Sequence, residues 1–169
     1  SMGVVRPPAL SRGLEHVVQG GVIAGGVGLL GGLNNSSSQL WSLMAVNQET
    51  GVLRPIRGVA DLVHQRGARL HVDAIQLFGK GSLDGLEMVD SVSLTGHKFR
   101  GPKGLGVLGF ACGWTPQPLG RGGAQERGLR PGTVDATAVP GLGAAIARLN
   151  VARLAYRTVA LLRHTVEQK

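Results

Sequence analysis

Several side chains suited to ligand binding or catalysis stand directly after apolar segments of the 169-residue sequence. They fall into three groups, which are Asn47 with Gln48, Asp73 with Gln76, and Thr95 with His97 and Lys98. Taken singly, each has an ordinary alternative, since Asp73 can cap a helix and Lys98 can be a solvated surface lysine. Taken together, the amides, carboxylate, hydroxyl, imidazole and amine exceed what packing requires and indicate a ligand-binding site.

A strand–helix–strand unit is predicted to position the first two groups. Residues 39–47 form a short apolar run typical of a buried strand, and residues 48–51 follow as a turn. Apolar residues then recur at helical spacing from Pro55, which a first helical turn tolerates, to Gly67, which closes the helix. Residues 69–73 form a second strand. This order is typical of a parallel sheet, in which ligands bind beyond the carboxyl ends of the strands.

The remaining segments extend the same α/β pattern. We expect a helical turn over 74–79, a strand over 89–95, a glycine-rich basic loop over 96–104 and a hairpin strand over 105–111. Residues 113–133 predict a loop, and Pro140 opens one long helical pattern that runs to about Thr165. We therefore divide the chain into a poorly defined glycine-rich lead segment (1–38), a core (39–135) and a helical segment (136–169).

Composition excludes several classes of protein. With 43% hydrophobic and 17% charged residues, a packed domain is expected. We recognise no membrane-spanning helix and no signal peptide, so we expect a cytoplasmic protein. The single cysteine, Cys112, excludes a disulfide framework, and we predict no metal site. The net charge of +8 suits nucleic acid or an anionic small ligand, and the scattered placement of the basic residues favours the ligand.

Four motifs resemble the class V aminotransferase family, and above all its cysteine desulfurase and selenocysteine lyase branch. The two strongest are residues 71–76 (HVDAIQ) and 93–104 (SLTGHKFRGPKG). Residues 45–51 (AVNQETG) resemble the branch's Asn-Asn-Glu-Thr-Gly element, and residues 122–133 (GGAQERGLRPGT) its Gly-Gly-Gly-Gln-Glu-Arg-Gly loop. The resemblance implies a truncated large domain of a fold-type I pyridoxal 5'-phosphate (PLP) enzyme, with a mostly parallel sheet flanked by helices.

The resemblance implies that three residues act on the cofactor ring. Lys98 would bond covalently to PLP and carry the proton that moves during the reaction. Asp73 would pair with the pyridine nitrogen and keep it protonated, so that the ring can accept electrons. Gln76 would hydrogen-bond the phenolic oxygen of the ring.

The resemblance assigns the other candidate residues to the phosphate and to the flanks of the ring. Thr95 and His97 would hold the phosphate through hydroxyl and imidazole donors. Asn47 and Gln48 would flank the ring, and Gln48 stands where the family usually has asparagine. Thr133 would reach the cofactor of a neighbouring subunit, which implies a homodimer.

The implied reaction removes sulfur from L-cysteine and yields alanine and an enzyme persulfide. A sulfur-acceptor protein and a role in iron–sulfur cluster assembly follow from the same resemblance. The family's small domain, with its substrate-binding arginine and its loop cysteine, has no recognised counterpart here. Cys112 follows an apolar stretch, where an inert cysteine is the commoner outcome. The dipeptide Glu15–His16 is the only candidate for the family's Glu-His pair, whose imidazole stacks on the ring.

Three alternatives stay open. The chain can be a catalytically inactive scaffold or dimerisation module, which would form a dimer but release no alanine from cysteine. It can be a basic nucleic-acid-binding domain in which the PLP motifs are unused. It can also act within the same family on selenocysteine or cysteine sulfinate instead of cysteine.

Overall fold

The computed structural model describes residues 40–112, 114, 116–118 and 120–168, and for residues 21–22 the backbone alone. Five strands form one sheet in the order β1 to β5. Their bounds are Gly21–Val22 (β1), Leu40–Met44 (β2), Arg69–Asp73 (β3), Ser91–Thr95 (β4) and Gly106–Phe110 (β5). Strands β1 to β4 are parallel, and β5 is antiparallel to β4. The predicted mostly parallel α/β sheet is confirmed.

Helix α1 (Ile56–His64) connects β2 to β3 and packs on one face of the sheet. Its buried residues recur at helical spacing and are Ile56, Val59, Ala60 and Val63. Gly67 has φ +68° and donates to the carbonyl of His64, while the N–H of Ala68 reaches the carbonyl of Val63. This pair of hydrogen bonds is the glycine-dependent cap that ends many helices. The predicted helix between Pro55 and Gly67 is confirmed.

Alternation along the strands gives the sheet two different faces. The face beneath α1 is apolar and buries Trp41, Leu43, Leu70, Val72 and Val92. The other face carries two rows of paired residues, which are Ser42, His71 and Ser91, then Met44, Asp73 and Ser93. Most residues of this second face are only half-buried. The apolar face therefore stabilises the fold, and the second face presents polar side chains.

The hairpin of β4 and β5, predicted from the sequence, is confirmed by the pairing of Thr95 with Gly106 and of Ser91 with Phe110. A second buried cluster lies beside it and comprises Phe99, Leu105, Ala138, Leu142 and Ala145. Phe99 and Leu105 belong to the connection between the two strands, and the other three belong to the next helix. This cluster ties the connection 96–105 to that helix.

The prediction of one long helix from Pro140 is wrong, because two helices occupy this region. Helix α2 spans Ala138–Ala147 and helix α3 spans Leu149–Glu167, with Arg148 between them at φ −100° and ψ 9°. Helix α2 begins two residues before Pro140 because Oδ1 of Asp135 accepts hydrogen bonds from the N–H groups of Thr137 and Ala138. A proline in the first turn is tolerated, since the N–H groups there have no helical acceptor. The apolar spacing continues across Arg148, so the sequence carries no sign of the break.

Helix α3 contains no buried residue, whereas α2 is anchored in the second cluster. Its large exposed apolar residues are Val151, Leu154, Tyr156, Val159, Leu161, Leu162 and Val166. Among the described helices, none combines the length and apolar character needed to cross a bilayer.

Some predicted segments lie outside the described residues. These include the dipeptide Glu15–His16 and all of the lead segment 1–38 except residues 21–22. In the predicted loop 113–133, the described residues form turns and irregular structure around one short 3-10 turn, Gln125–Gly128. The predicted turns over 48–51 and 74–79 are both present.

Candidate functional site

The carboxyl ends of β2, β3 and β4 meet at one edge of the sheet. Asp73 is the last residue of β3 and pairs with Met44 of β2 and Ser93 of β4. The pairing continues beyond the strand, because the N–H of Ala74 donates to the carbonyl of Ser93 at 2.9 Å. Thr95 ends β4 two residues after Ser93, the residue that pairs with Asp73. Because alternate residues of a strand share a face, Thr95 lies on the same face as Asp73. The edge thus brings together two of the three candidate groups.

Asp73 is half-buried and is held in one orientation by its own backbone. Its Oδ1 atom accepts a hydrogen bond of 2.9 Å from the N–H of Ile75. Its Oδ2 atom has no hydrogen-bond partner within the part of the chain that the structure describes. Asp73 therefore offers a fixed carboxylate oxygen to a ligand at the edge.

Lys98 lies in a 3-10 turn, Gly96–Phe99, that directly follows β4. Phe99 is 4% exposed and anchors the turn in the second cluster, while Lys98 itself is exposed. The turn is closed by Arg100 at φ 69° and by a 2.8 Å hydrogen bond from the N–H of Gly101 to the carbonyl of Gly96. A Cβ on Gly101 would lie 2.9 Å from that carbonyl oxygen. Glycine is therefore required for the close approach that shapes the lysine loop, which is the connection 96–105 between β4 and β5.

The Thr95 hydroxyl bridges the two ends of the lysine loop. Its Oγ1 lies 2.8 Å from the carbonyl oxygen of Leu105 and 3.0 Å from Nδ1 of His97. A hydroxyl has one hydrogen to donate, and the carbonyl can only accept. With that hydrogen on Leu105, Nδ1 of His97 is the donor to Thr95. The Nε2 edge of the exposed His97 ring is then the edge left to meet a ligand.

Gln76 lies in the turn after β3 and contacts a lysine that the sequence analysis did not identify. Nζ of Lys80 lies 2.5 Å from Oε1 of Gln76. Burial lowers the pKa of Lys80 below its ordinary value, and the positive charge of Lys98 lowers it further. Lys80 therefore contacts Gln76 and lies within electrostatic range of Lys98. The spacing of four residues from Gln76 to Lys80 is the only local signal, and it is a weak one.

Asn47, Gln48 and Thr133 are placed differently. Oδ1 of Asn47 accepts hydrogen bonds of 2.9 Å from the N–H groups of both Glu49 and Thr50, so this side chain stabilises the turn after β2. Gln48 is exposed in the same turn. Thr133 is exposed in the connection that precedes α2. Within the described part of the chain, neither Gln48 nor Thr133 has a hydrogen bond to the residues at the edge.

Cys112 lies at the opposite edge of the sheet from Lys98. Strand β5 runs antiparallel to β4, so it starts beside Thr95 and ends beside Ser91. These two pairs are four residues apart, which corresponds to about 14 Å along the strands. Cys112 comes two residues after the end of β5 and is exposed. The antiparallel direction of this one strand therefore separates the cysteine from the lysine loop.

Comparisons with known proteins bear on the family of this chain. The family model described as "Aminotransferase class-V" matches residues 29–165. A cysteine desulfurase of Cereibacter sphaeroides is 46% identical over 135 residues, which are 76% of this chain and 33% of that protein. The chain spans about a third of the length of the curated relatives it matches.

Solved structures share the same architecture. A NifS-like protein from Rickettsia africae ESF-5 superposes with a TM-score of 0.72 at 28% identity, covering 80% of this chain and 39% of that one. A structure of SspA in complex with cysteine superposes with a TM-score of 0.64 at 34% identity, covering 70% of this chain and 36% of that one. Together with the matched family model, these similarities show that the chain belongs to the class V aminotransferase family, within which the curated relatives it matches are cysteine desulfurases.

Proposed function

We propose that this chain is the cofactor-binding part of a PLP-dependent enzyme of the cysteine desulfurase type, with Lys98 as the lysine that bonds to PLP. The observation that carries the proposal is the shared sheet edge, where Asp73 ends β3 and the Lys98 turn directly follows the neighbouring β4. Membership of the class V family supplies the second support.

The residues at the edge fit the chemistry of PLP. An acid is needed for the pyridine nitrogen, and Oδ2 of Asp73 makes no hydrogen bond to any described residue. A donor is needed for the phenolic oxygen, and Gln76 has an amide whose oxygen already faces Lys80. Donors are needed for the phosphate dianion. The Thr95 hydroxyl already donates to Leu105, so its part is to orient the His97 ring, whose Nε2–H would be the donor to the dianion in the cationic form of the ring.

Bound PLP supplies an electron sink for the negative charge left when the substrate's α-proton departs. Each residue of the chain then has a defined task. The carboxylate of Asp73 keeps a proton on the ring nitrogen, because a nearby negative charge favours the protonated cation. The amine of Lys98 would hold the cofactor, and as a free amine it would take and return the α-proton.

The proposed substrate is L-cysteine, and the proposed product is alanine. In the overall step, the C–S bond of cysteine breaks, and the sulfur forms an S–S bond with a thiol, which becomes a persulfide. The thiol's proton balances the new C–H bond of alanine, so no external oxidant or reductant is needed. Because Cys112 lies at the far edge of the sheet, we propose that this thiol is not that of Cys112. A sulfur-acceptor protein is the proposed destination of the persulfide sulfur. A homodimer, with Thr133 near the partner's cofactor, belongs to the same proposal.

An absorbance titration with PLP tests the proposal. We expect a visible absorption band that appears with PLP and is lost in Lys98→Ala but retained in Lys103→Ala, an exposed lysine of the same loop. A protein that stays colourless with PLP would contradict the proposal. With cysteine and a small-molecule thiol added, we expect alanine at the same rate in Cys112→Ser as in the parent protein.

The position of Cys112 favours a second candidate function, a PLP-binding module that does not turn cysteine over by itself. The sequence contains no other cysteine, and this one is remote from the lysine loop. The module would give the visible band but no alanine, even with added thiol. Alanine release that depends on Lys98 would exclude this candidate.

A further inference from the structure

Lys80 makes two contacts with its ammonium group, and neither follows from the family motifs quoted above. Its Nζ lies 2.5 Å from Oε1 of Gln76, one turn back along the chain. The same Nζ lies 5.7 Å from the centroid of the Tyr156 ring on helix α3, within the range of a cation–π contact. The ammonium thus sits between a candidate ligand-binding side chain and the helix that follows Arg148.

The contact with Gln76 determines which end of the amide faces the ligand. A carboxamide has an oxygen that only accepts and an NH2 group that only donates, and an ammonium only donates. Lys80 can therefore bind the oxygen of Gln76 but not the nitrogen. With the oxygen held by Lys80, the NH2 group is turned away from it, and it has no hydrogen-bond partner among the described residues.

We propose that Lys80 is a positioning residue that holds the amide of Gln76 with its NH2 group directed as a donor toward the ligand at the sheet edge. This inference rests on the proposed function, in which that ligand is PLP and the acceptor is its phenolic oxygen. Without Lys80, the amide can rotate by half a turn and present its oxygen instead, which would face another oxygen with no hydrogen between them.

The surroundings of Lys80 hold its ammonium in place. Gly79 adopts φ +77°, and a Cβ there would lie 2.8 Å from Cβ of Phe99 and 3.1 Å from Leu149. This close approach brings the backbone before Lys80 against the lysine loop and the start of α3. Lys80 is half-buried, so its ammonium is confined between Gln76 and Tyr156 and is not free in solvent.

If Lys80 had only a structural role, the effect of replacing it would be different. If the lysine only stabilised the turn 75–80, its replacement would lower stability without acting through Gln76. The test is therefore a double-mutant cycle between positions 80 and 76, with PLP affinity as the readout. The variants are Lys80→Met, which keeps the apolar stem, Lys80→Arg, which keeps a charged donor, and Gln76→Leu.

We expect Lys80→Met to weaken PLP binding about tenfold, as for the loss of one charge-assisted hydrogen bond, and Lys80→Arg to restore most of the affinity. In the Gln76→Leu background, we expect Lys80→Met to have no further effect. An equal loss of affinity in both backgrounds would overturn the inference, because Lys80 would then act independently of the amide.

A measurement without PLP separates this inference from the proposed function. In 15N NMR spectra of the PLP-free protein, we expect the side-chain NH2 resonances of Gln76 to be displaced from free-amide values, to return to them in Lys80→Met and to stay displaced in Lys80→Arg. Unchanged resonances in Lys80→Met would overturn the inference. If the parent protein bound no PLP, the proposed function would fail, while the NMR comparison would still decide the orientation of the amide.

Discussion

Thr95 and His97 are joined at the start of the lysine loop, with Oγ1 of the threonine 3.0 Å from Nδ1 of the histidine. The same hydroxyl spans the loop to the carbonyl of Leu105 at 2.8 Å. A single side chain therefore sets both the orientation of the imidazole and the closure of the loop that carries Lys98.

Replacing Thr95 by valine is expected to weaken PLP binding more than replacing it by serine. Valine keeps the shape but leaves the Leu105 carbonyl without its donor and His97 without its acceptor, at a cost of about 1–3 kcal/mol. Serine keeps the hydroxyl. Equilibrium titration with PLP, together with urea unfolding of the PLP-free protein, measures both effects. Equal affinities of the two variants would show that the hydroxyl does not contribute.

Gly101→Ala is expected to destabilise the protein and to lower PLP affinity. The added Cβ would lie 2.9–3.1 Å from the oxygen, carbonyl carbon and Cα of Gly96, and these backbone atoms cannot move aside without opening the lysine loop. Gly143→Ala in α2 is the matched control, because its Cβ would meet no atom within 4 Å. A helical Gly-to-Ala change should stabilise by about 0.5–1 kcal/mol. Thermal unfolding midpoints of the two variants should therefore move in opposite directions.

Asp90→Ala is expected to be among the most destabilising single changes in the described chain. Its carboxylate is nearly inaccessible and accepts a 2.6 Å hydrogen bond from the buried N–H of Leu70, while His64 lies 2.9 Å from the same oxygen. Removal leaves a buried donor unpaired and should lower the free energy of unfolding by about 2–3 kcal/mol.

Asp84→Ala is the control for this change. Asp84 pairs with Arg57 at 2.9 Å, but its side chain is 71% exposed. An exposed pair contributes less than about 1 kcal/mol. If urea unfolding gave similar losses in the free energy of unfolding for Asp84→Ala and Asp90→Ala, the buried contact of Asp90 with Leu70 would not contribute the expected 2–3 kcal/mol, about the cost of an unpaired buried donor.

His71 should make the folded state less stable in acid. Burial between Ser91 and Ser93 lowers the pKa of His71 below its ordinary value of 6.5, and the charge of Asp73 only partly opposes this. The unfolded chain therefore takes up the proton first as the pH falls. Stability is fully present above about pH 6.5 and is lost progressively below it.

The comparison of His71→Asn with the parent protein measures this contribution. Between pH 7.5 and 5.5, the parent should lose up to about 1.4 kcal/mol more than the variant, since one pH unit below the unfolded pKa corresponds to that energy. Ser91→Ala removes the 2.8 Å contact with Nδ1 but leaves the imidazole, so it should keep the pH dependence. The same pH slope in His71→Asn and the parent would contradict the assignment.

Local signals account for the elements that the sequence predicted. Helix α1 has a regular apolar stripe and ends at Gly67, whose φ of +68° few other residues adopt. Strand β3 is short, places its apolar residues Leu70 and Val72 on one face, and stops at a carboxylate. The order of these elements then implies a parallel sheet, so the shared edge for Asp73 and the lysine loop could be anticipated.

The features that the sequence did not predict depend on contacts between distant residues. Helix α2 buries three residues in the second cluster, whereas α3 packs against it only through its first residue, Leu149, and the spacing of apolar residues does not record this difference. The ammonium of Lys80 contacts the ring of Tyr156, which is far away along the chain. Cys112 is remote from Lys98 because β5 runs antiparallel to β4 and carries the chain away from the lysine loop. The sequence predicts this hairpin strand, but the position of Cys112 depends on where the strand ends.

The hairpin also bears on the order in which the molecule folds. Strands β1 to β4 can pair only after long crossovers close, whereas β4 and β5 are joined by the short connection 96–105. Contacts between near neighbours in the chain form fastest, because less loop entropy is lost on closing them. The hairpin that contains Lys98 is thus expected to fold early, before strand β3, which contains Asp73, pairs with β4.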